Sequence, residues 1–173
     1  MNSALISSFE LLVKPIAPPS APVNRKVIQA YFLMISNLTD ASAGDVTFAL
    51  KFTVNGTPLM SDKLVTIFDG GLGNNFGTLN NAGTTEDYTI PAGYTGLFIL
   101  QPRDVSPAAP NLEIRGVAEI MLLPTSEASP AQLMLSPQQR GTFLSADSTI
   151  TDLDQQSYSL PTPDGKHVFE LTK

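Results

Sequence analysis

A single histidine, His167, bounds the acid–base chemistry open to this chain. Any Ser-His-Asp relay would have to use it. It stands directly before Val168 and Phe169, in a segment that reads as a strand, and no Gly-x-Ser-x-Gly elbow accompanies it. The pattern predicts a histidine on a strand surface or edge. There is no cysteine, which excludes disulfides, thiolate metal sites and cysteine nucleophiles. One histidine and no cysteine leave no zinc ligand set of the usual kind.

Carboxylates are the remaining candidates. Glu113 and Glu119 fall on one face of a strand-like run, but six residues at about 3.3 Å each hold them about 20 Å apart. A glycosidase pair needs roughly 5–10 Å. Glu113 and Arg115 share that face and suit a surface ion pair. Asp147, Asp152 and Asp154 lie in one polar loop, and with Gln156 they begin like a calcium loop. An EF-hand would then need Gly at its sixth position and Glu at its twelfth, where Ser157 and Pro163 stand. A non-standard calcium site is the alternative that loop leaves open. The run Asp69–Gly77 is rich in glycine, but Phe76 occupies the third glycine position of a dinucleotide fingerprint and no helical pattern follows. It reads as a spacer in which the backbone turns freely. There is no tryptophan, so a sugar platform would rest on Tyr31, Tyr88, Tyr94 or Tyr158. Tyr88 and Tyr94 flank the Ile90–Gly93 turn and can reach one end of the molecule. No residue is assigned as catalytic, cofactor-binding or metal-binding.

Charge narrows the partners. The net charge is −6, and Arg25-Lys26 is the only adjacent basic pair. Phosphate-backbone binding needs several basic groups on one face, so nucleic acid and anionic membrane surfaces are disfavoured. Charged residues are 15% of the chain, against a usual share of about a quarter. Solvated faces must therefore be built from Ser, Thr, Asn and Gln, as in subunits that pack against copies of themselves. The apolar stretch from Ala4 to Val13 contains Glu10 and follows no basic residue, unlike a secretory signal. No apolar run approaches the roughly 18 residues of a spanning helix. The expectation is a cytoplasmic protein.

The elements that would position these groups are strands. Val46, Phe48, Leu50, Phe52 and Val54 alternate with Thr47, Ala49, Lys51 and Thr53, a period of two. Val27–Leu38 is apolar on both faces, which predicts a central strand covered on both sides. Asn55-Gly56 signals a tight turn. Pro58 demotes Thr57–Met60 to an edge. Further strands are expected at 63–68, 86–90, 95–101, 112–123 and 133–135, with a weaker one at 138–144. Ile90-Pro91-Ala92-Gly93 suits a type I turn. A closing hairpin is expected between 157–160 and 167–171 through Pro163-Asp164-Gly165. Pro15, Pro18, Pro19 and Pro22 mark an extended connector between an N-terminal strand and the rest. It either carries that strand from one sheet to the other or frees it as an arm for a neighbouring subunit.

About ten short strands with no helical interruption predict an all-β antiparallel β-sandwich of two packed sheets, with a closed β-barrel as the alternative. Residues 1–173 form one domain, with 1–22 a strand plus Pro-rich connector. The function these features favour is a non-enzymatic structural or protein-binding module that self-associates as a homo-oligomer or with a protein partner. A calcium-assisted carbohydrate-binding module is the alternative.

Overall fold

Alternation at period two becomes strand almost everywhere in the chain. The computed structural model describes residues 3–16, 25–71, 73–106, 108–145 and 154–173. Among them are twelve strands, every pairing antiparallel: β1 (Ser3–Pro15), β2 (Arg25–Asn37), β3 (Val46–Val54), β4 (Thr57–Pro58), β5 (Leu64–Asp69), β6 (Asn74–Gly77), β7 (Tyr88–Ile90), β8 (Thr95–Pro102), β9 (Leu112–Leu122), β10 (Ala131–Ser145), β11 (Asp154–Ser159) and β12 (Val168–Leu171).

The all-β antiparallel class holds. Its division into two sheets does not, because hydrogen bonding runs without a break through one curled sheet in the order β4-β3-β9-β1-β2-β8-β5-β6. The bend lies at β1. Its C-terminal end, Leu12 to Pro15, pairs with Lys26 to Gln29 of β2, while Ser3 to Val13 pairs with β9. Beyond the shared segment β2 turns to β8 instead, through Tyr31 to Ser36. The sheet thus splits into two limbs that face each other. The first holds β1, β9, β3, β4 and β7; the second holds β2, β8, β5, β6 and β10 to β12. The Pro-rich connector at 17–24 lies outside the described residues.

The space between the limbs is an aromatic core. Phe52 of β3 stacks on Phe98 of β8 at 5.7 Å, Phe48 meets Phe68 of β5 edge-on at 6.1 Å, and Phe9, Tyr31 and Phe52 form an edge-to-face trio. Such ring pairs add about 0.5–1.5 kcal/mol each beyond the apolar area they bury. Two buried side chains tie the limbs where β1 leaves β2. Gln139 of β10, 1% exposed, donates to Ala30 O at 2.8 Å and to Glu10 O, and accepts from Glu10 N at 3.2 Å. The Tyr31 hydroxyl bonds the Ser7 hydroxyl at 3.1 Å. At the other end Asn37, wholly buried, donates from Nδ2 to Ile90 O at 3.0 Å. Gly116 of β9 stands opposite Phe9, where a Cβ would lie 2.0 Å from Thr53 O and 2.9 Å from the Phe9 ring. No side chain fits there.

Several expectations change in detail. β2 is central in the sheet as expected, but it is not covered on both sides: its outer face stays open, with Met34 41% exposed. Residues 133–135 and 138–144 are not separate strands but one, β10, running through Pro137. Alternate residues of a strand point their N–H groups to the same edge. Leu135 N bonds His167 O, so position 137 faces that same edge, between β12 (paired at 131–134) and β11 (paired at 138–143). The missing N–H of Pro137 therefore costs no ladder bond. The expected closing hairpin is absent as well: β11 and β12 both pair β10 and not each other. Asn55-Gly56 forms its tight turn with φ of 51° and 77°. The next predicted turn lies one residue further on, with Tyr94 N donating to Pro91 O and Gly93 at φ 78°, which suits glycine two residues into a type II turn.

Candidate functional site

The residues with chemical potential are scattered. His167 is exposed just before β12, its carbonyl accepting from Leu135 N. Asp147 and Asp152 lie outside the described residues. Asp154 opens β11 in an ion pair with Arg25. Among the described residues no group of three or more His, Asp or Glu is placed to hold a metal ion. Glu113 is drawn to Lys14, at 3.0 Å, and to Arg115, and both hold its carboxyl below the usual range. Glu119 bonds Ser3 at 2.7 Å and sits 4.0 Å from Lys51. Neither glutamate is part of an acid–base pair.

The outer faces of the two limbs differ in kind. On the first limb, register brings Glu10 opposite Arg115 and Lys51 opposite Glu119, and this face carries the ion pairs Arg115–Glu10 (2.5 Å), Arg115–Glu113, Lys14–Glu113 and Lys51–Glu119. On the second limb, Phe76, Ile67, Ile99 and Phe32 stand side by side on successive strands β6, β5, β8 and β2. Val65, Leu97 and Met34 flank that row, and Met34 is 41% exposed. The row ends at β10, where the Arg140 guanidinium lies 4.3 Å from the centre of the Phe32 ring. Beside it Ile28, Ala30, Leu144 and Val105 line a hollow of about 520 Å³. An antiparallel sheet with one face in water is usually polar on that face. The second limb departs from this rule.

A second feature lies where the curled sheet does not close. β6 ends one limb and β7 lies at the rim of the other, and a groove of about 820 Å³ runs between them. Its floor is the stacked pair Phe68 and Tyr88, centroids 4.3 Å apart. Tyr94 walls it at 59% exposure, and β6 borders it at Asn75 and Phe76, the Phe76 side chain sharing the outer face with Ile67. Glu86 and Asp87 supply carboxylates, and no Lys, Arg or His lines it. The Tyr88 phenol is buried, and neither its hydroxyl nor that of Thr66 makes a hydrogen bond of acceptable geometry. Burial raises the Tyr88 phenol above its ordinary value, a rise that the neighbouring Thr66 and Thr85 hydroxyls oppose and the Glu86 carboxylate reinforces.

Sequence reasoning pointed to Tyr88 and Tyr94 at one end of the molecule. It missed Phe76, which it placed in a spacer. That segment contains β6, made possible by the Asp69 carboxylate accepting from Gly71 N at 2.8 Å and Gly73 N at 3.2 Å, so that the chain reverses and pairs back on β5. The signal for the outer face was the doubly apolar run Val27–Leu38.

No family model matches the chain, and no curated protein matches it. Among solved structures it is similar to a chain described as "Pore forming protein", at 9% identity and a TM-score of 0.26, with 91% of this chain and 78% of that one covered. A likeness of that size carries no weight for fold or role. Among the described residues no helix is long and apolar enough to cross a membrane.

Proposed function

We propose that this chain is a non-enzymatic structural or protein-binding β module that associates with copies of itself through the outer face of its second limb. The observation behind this reading is the contrast between the limbs. A chain with few charges places ion pairs over one outer face and Phe32, Met34, Val65, Ile67, Leu97 and Ile99 on the other. Extended apolar patches on a protein surface mark interaction sites. The size fits as well. Five strands spaced ~4.8 Å apart and ~20 Å long give about 500 Å² in plan, the order of the roughly 800 Å² of accessible surface one partner contributes to a stable interface. Opposite charges at the margins of the face, Asp69 on β5 and Arg140 on β10, suit a self-complementary pairing.

Light scattering tests this. The expected mass is a multiple of 18.5 kDa at micromolar concentration. Phe32→Lys or Met34→Lys shifts it to the single chain with an unchanged circular dichroism spectrum, while Lys51→Ala on the opposite face leaves the assembly intact. A single chain at every concentration overturns the reading, as does an oligomer indifferent to both lysine variants.

A further inference from the structure

We infer that the groove between β6 and β7 is a binding site for an organic cation bearing an alkylated ammonium group. It lies at the rim of the curled sheet and not at the centre of the apolar outer face. Three observations converge on it. Tyr94 stands largely in solvent at its wall with no core role to explain it, over a floor formed by the Phe68 and Tyr88 rings. Its charged groups are all of one sign, Glu86 and Asp87, and no cationic side chain of the lining neutralises them. The Glu86 carboxylate also has a defined place. A Cβ built on Gly77 of β6 would meet Glu86 Oε1 at 3.0 Å and Thr66 Oγ1 at 3.0 Å, so the carboxylate reaches across and lies against the facing strand.

The ligand class follows from these groups. An anion is repelled by two carboxylates with no compensating base. A purely apolar ligand leaves those carboxylates without a partner. A cation is drawn both by the carboxylates and by the negative faces of the rings, the combination used in aromatic cages for quaternary ammonium groups. A primary ammonium holds its water tightly, whereas a quaternary one has little hydration to lose and no proton that demands an acceptor. Such a group occurs on trimethylated lysine side chains and on choline headgroups, and the groove chemistry is common to both.

The test uses the whole chain and isothermal titration with choline, beside its uncharged carbon isostere 3,3-dimethylbutanol. Choline is expected to bind and the isostere to bind at least several-fold more weakly. Tyr94→Ala and Asp87→Asn, both at exposed positions, each weaken choline at least threefold with the thermal melt unchanged. Increasing salt weakens it further, as for any exposed charge pairing. Titration with a trimethyllysine peptide and with phosphatidylcholine vesicles then separates the two sources, and binding of either carries the same assignment. No heat with choline at millimolar concentration overturns the proposal. So does equal binding of the isostere, or binding that ignores both variants.

Discussion

Gly116→Ala should destabilise the protein, although the same change in an unremarkable strand would help it. Replacing glycine by alanine where the backbone tolerates it stabilises by about 0.4–1 kcal/mol, because the unfolded chain loses freedom. At Gly116 the new methyl carbon would stand 2.0 Å from Thr53 O and 2.9–3.0 Å from two carbons of the Phe9 ring. The carbonyl cannot retreat without loosening the ladder that pairs Thr53 with Val117. The ring cannot retreat without disturbing its edge-to-face contacts, 5.4 Å to Phe52 and 6.1 Å to Tyr31. Overpacking a closed core costs about 1–3 kcal/mol, which outweighs the gain. For a chain of this size, 1 kcal/mol moves the midpoint by about 2–4 °C, so a fall of about 3–10 °C is expected. Gly141→Ala is the control. It lies inside β10, and its nearest neighbours to a new Cβ, Gln29 Oε1 and Val27 Cγ2, are 3.7 Å away. Thermal unfolding followed by circular dichroism should place Gly141→Ala at or above the parent and Gly116→Ala well below it. A Gly116→Ala midpoint equal to the parent's would refute the close approach of β9, β3 and Phe9 on which the bent sheet depends.

Other perturbations bear on the join between the limbs. Gln139→Leu removes the amide that serves Glu10 N, Glu10 O and Ala30 O. Stranding such groups costs about 1–3 kcal/mol, to be read as a lower urea midpoint. Tyr31→Phe leaves the Ser7 hydroxyl alone and should cost about 1 kcal/mol at neutral pH. At alkaline pH the sign is set by burial, which raises the Tyr31 phenol above its ordinary range against a small opposing effect of Ser7, and raises that of Tyr88 too. An unfolded tyrosine ionises near pH ~10. The stabilisation from keeping these two phenols neutral is therefore intact below about pH 10 and is lost as pH climbs through their folded values. The melting temperature should fall above that point, with part of the phenolate absorbance appearing only as the sheet unfolds. Complete phenolate absorbance before any change in the far-ultraviolet signal would contradict this.

Local pattern reached some of this architecture and not the rest. The alternation of Val46 to Val54 placed β3 and its inward face, and Asn55-Gly56 with Pro58 placed the turn and the short edge strand beyond it. Two apolar faces marked β2 as central. Pro137 misled because its effect depends on which edge its nitrogen faces and what stands there, and local sequence carries neither fact. The false hairpin at the C-terminus has a related cause. Both segments have a better partner in β10, which is long enough to take them one after the other. The difference between two sheets and one bent sheet rests on the few pairs from Leu12 to Pro15 of β1 with β2. Of the groove, Tyr88 and Tyr94 were visible as ring positions beside a turn. Phe76, Glu86 and Asp87 were not, because they meet only once β6 has folded back on β5 and β7 has paired with β3.

The pairing of early strands with late ones has a consequence for how the chain acquires its structure. Leu11 meets Ile114, and Ile35 meets Leu135, so the main partners of β1 and β2 are made about a hundred residues after them. At a synthesis rate of roughly 5–20 residues per second, that interval is about 5–20 s. During it β1 has its β9 edge and β2 its β10 edge unmatched, and only their short mutual segment and, once it emerges, the pairing of β8 with β2 can form. Contacts this distant in sequence also close slowly in a full-length chain. The nascent polypeptide is thus at its most adhesive before β9 and β10 emerge. A helper that shields bare strand edges should raise the yield of folded protein more than one that acts after release.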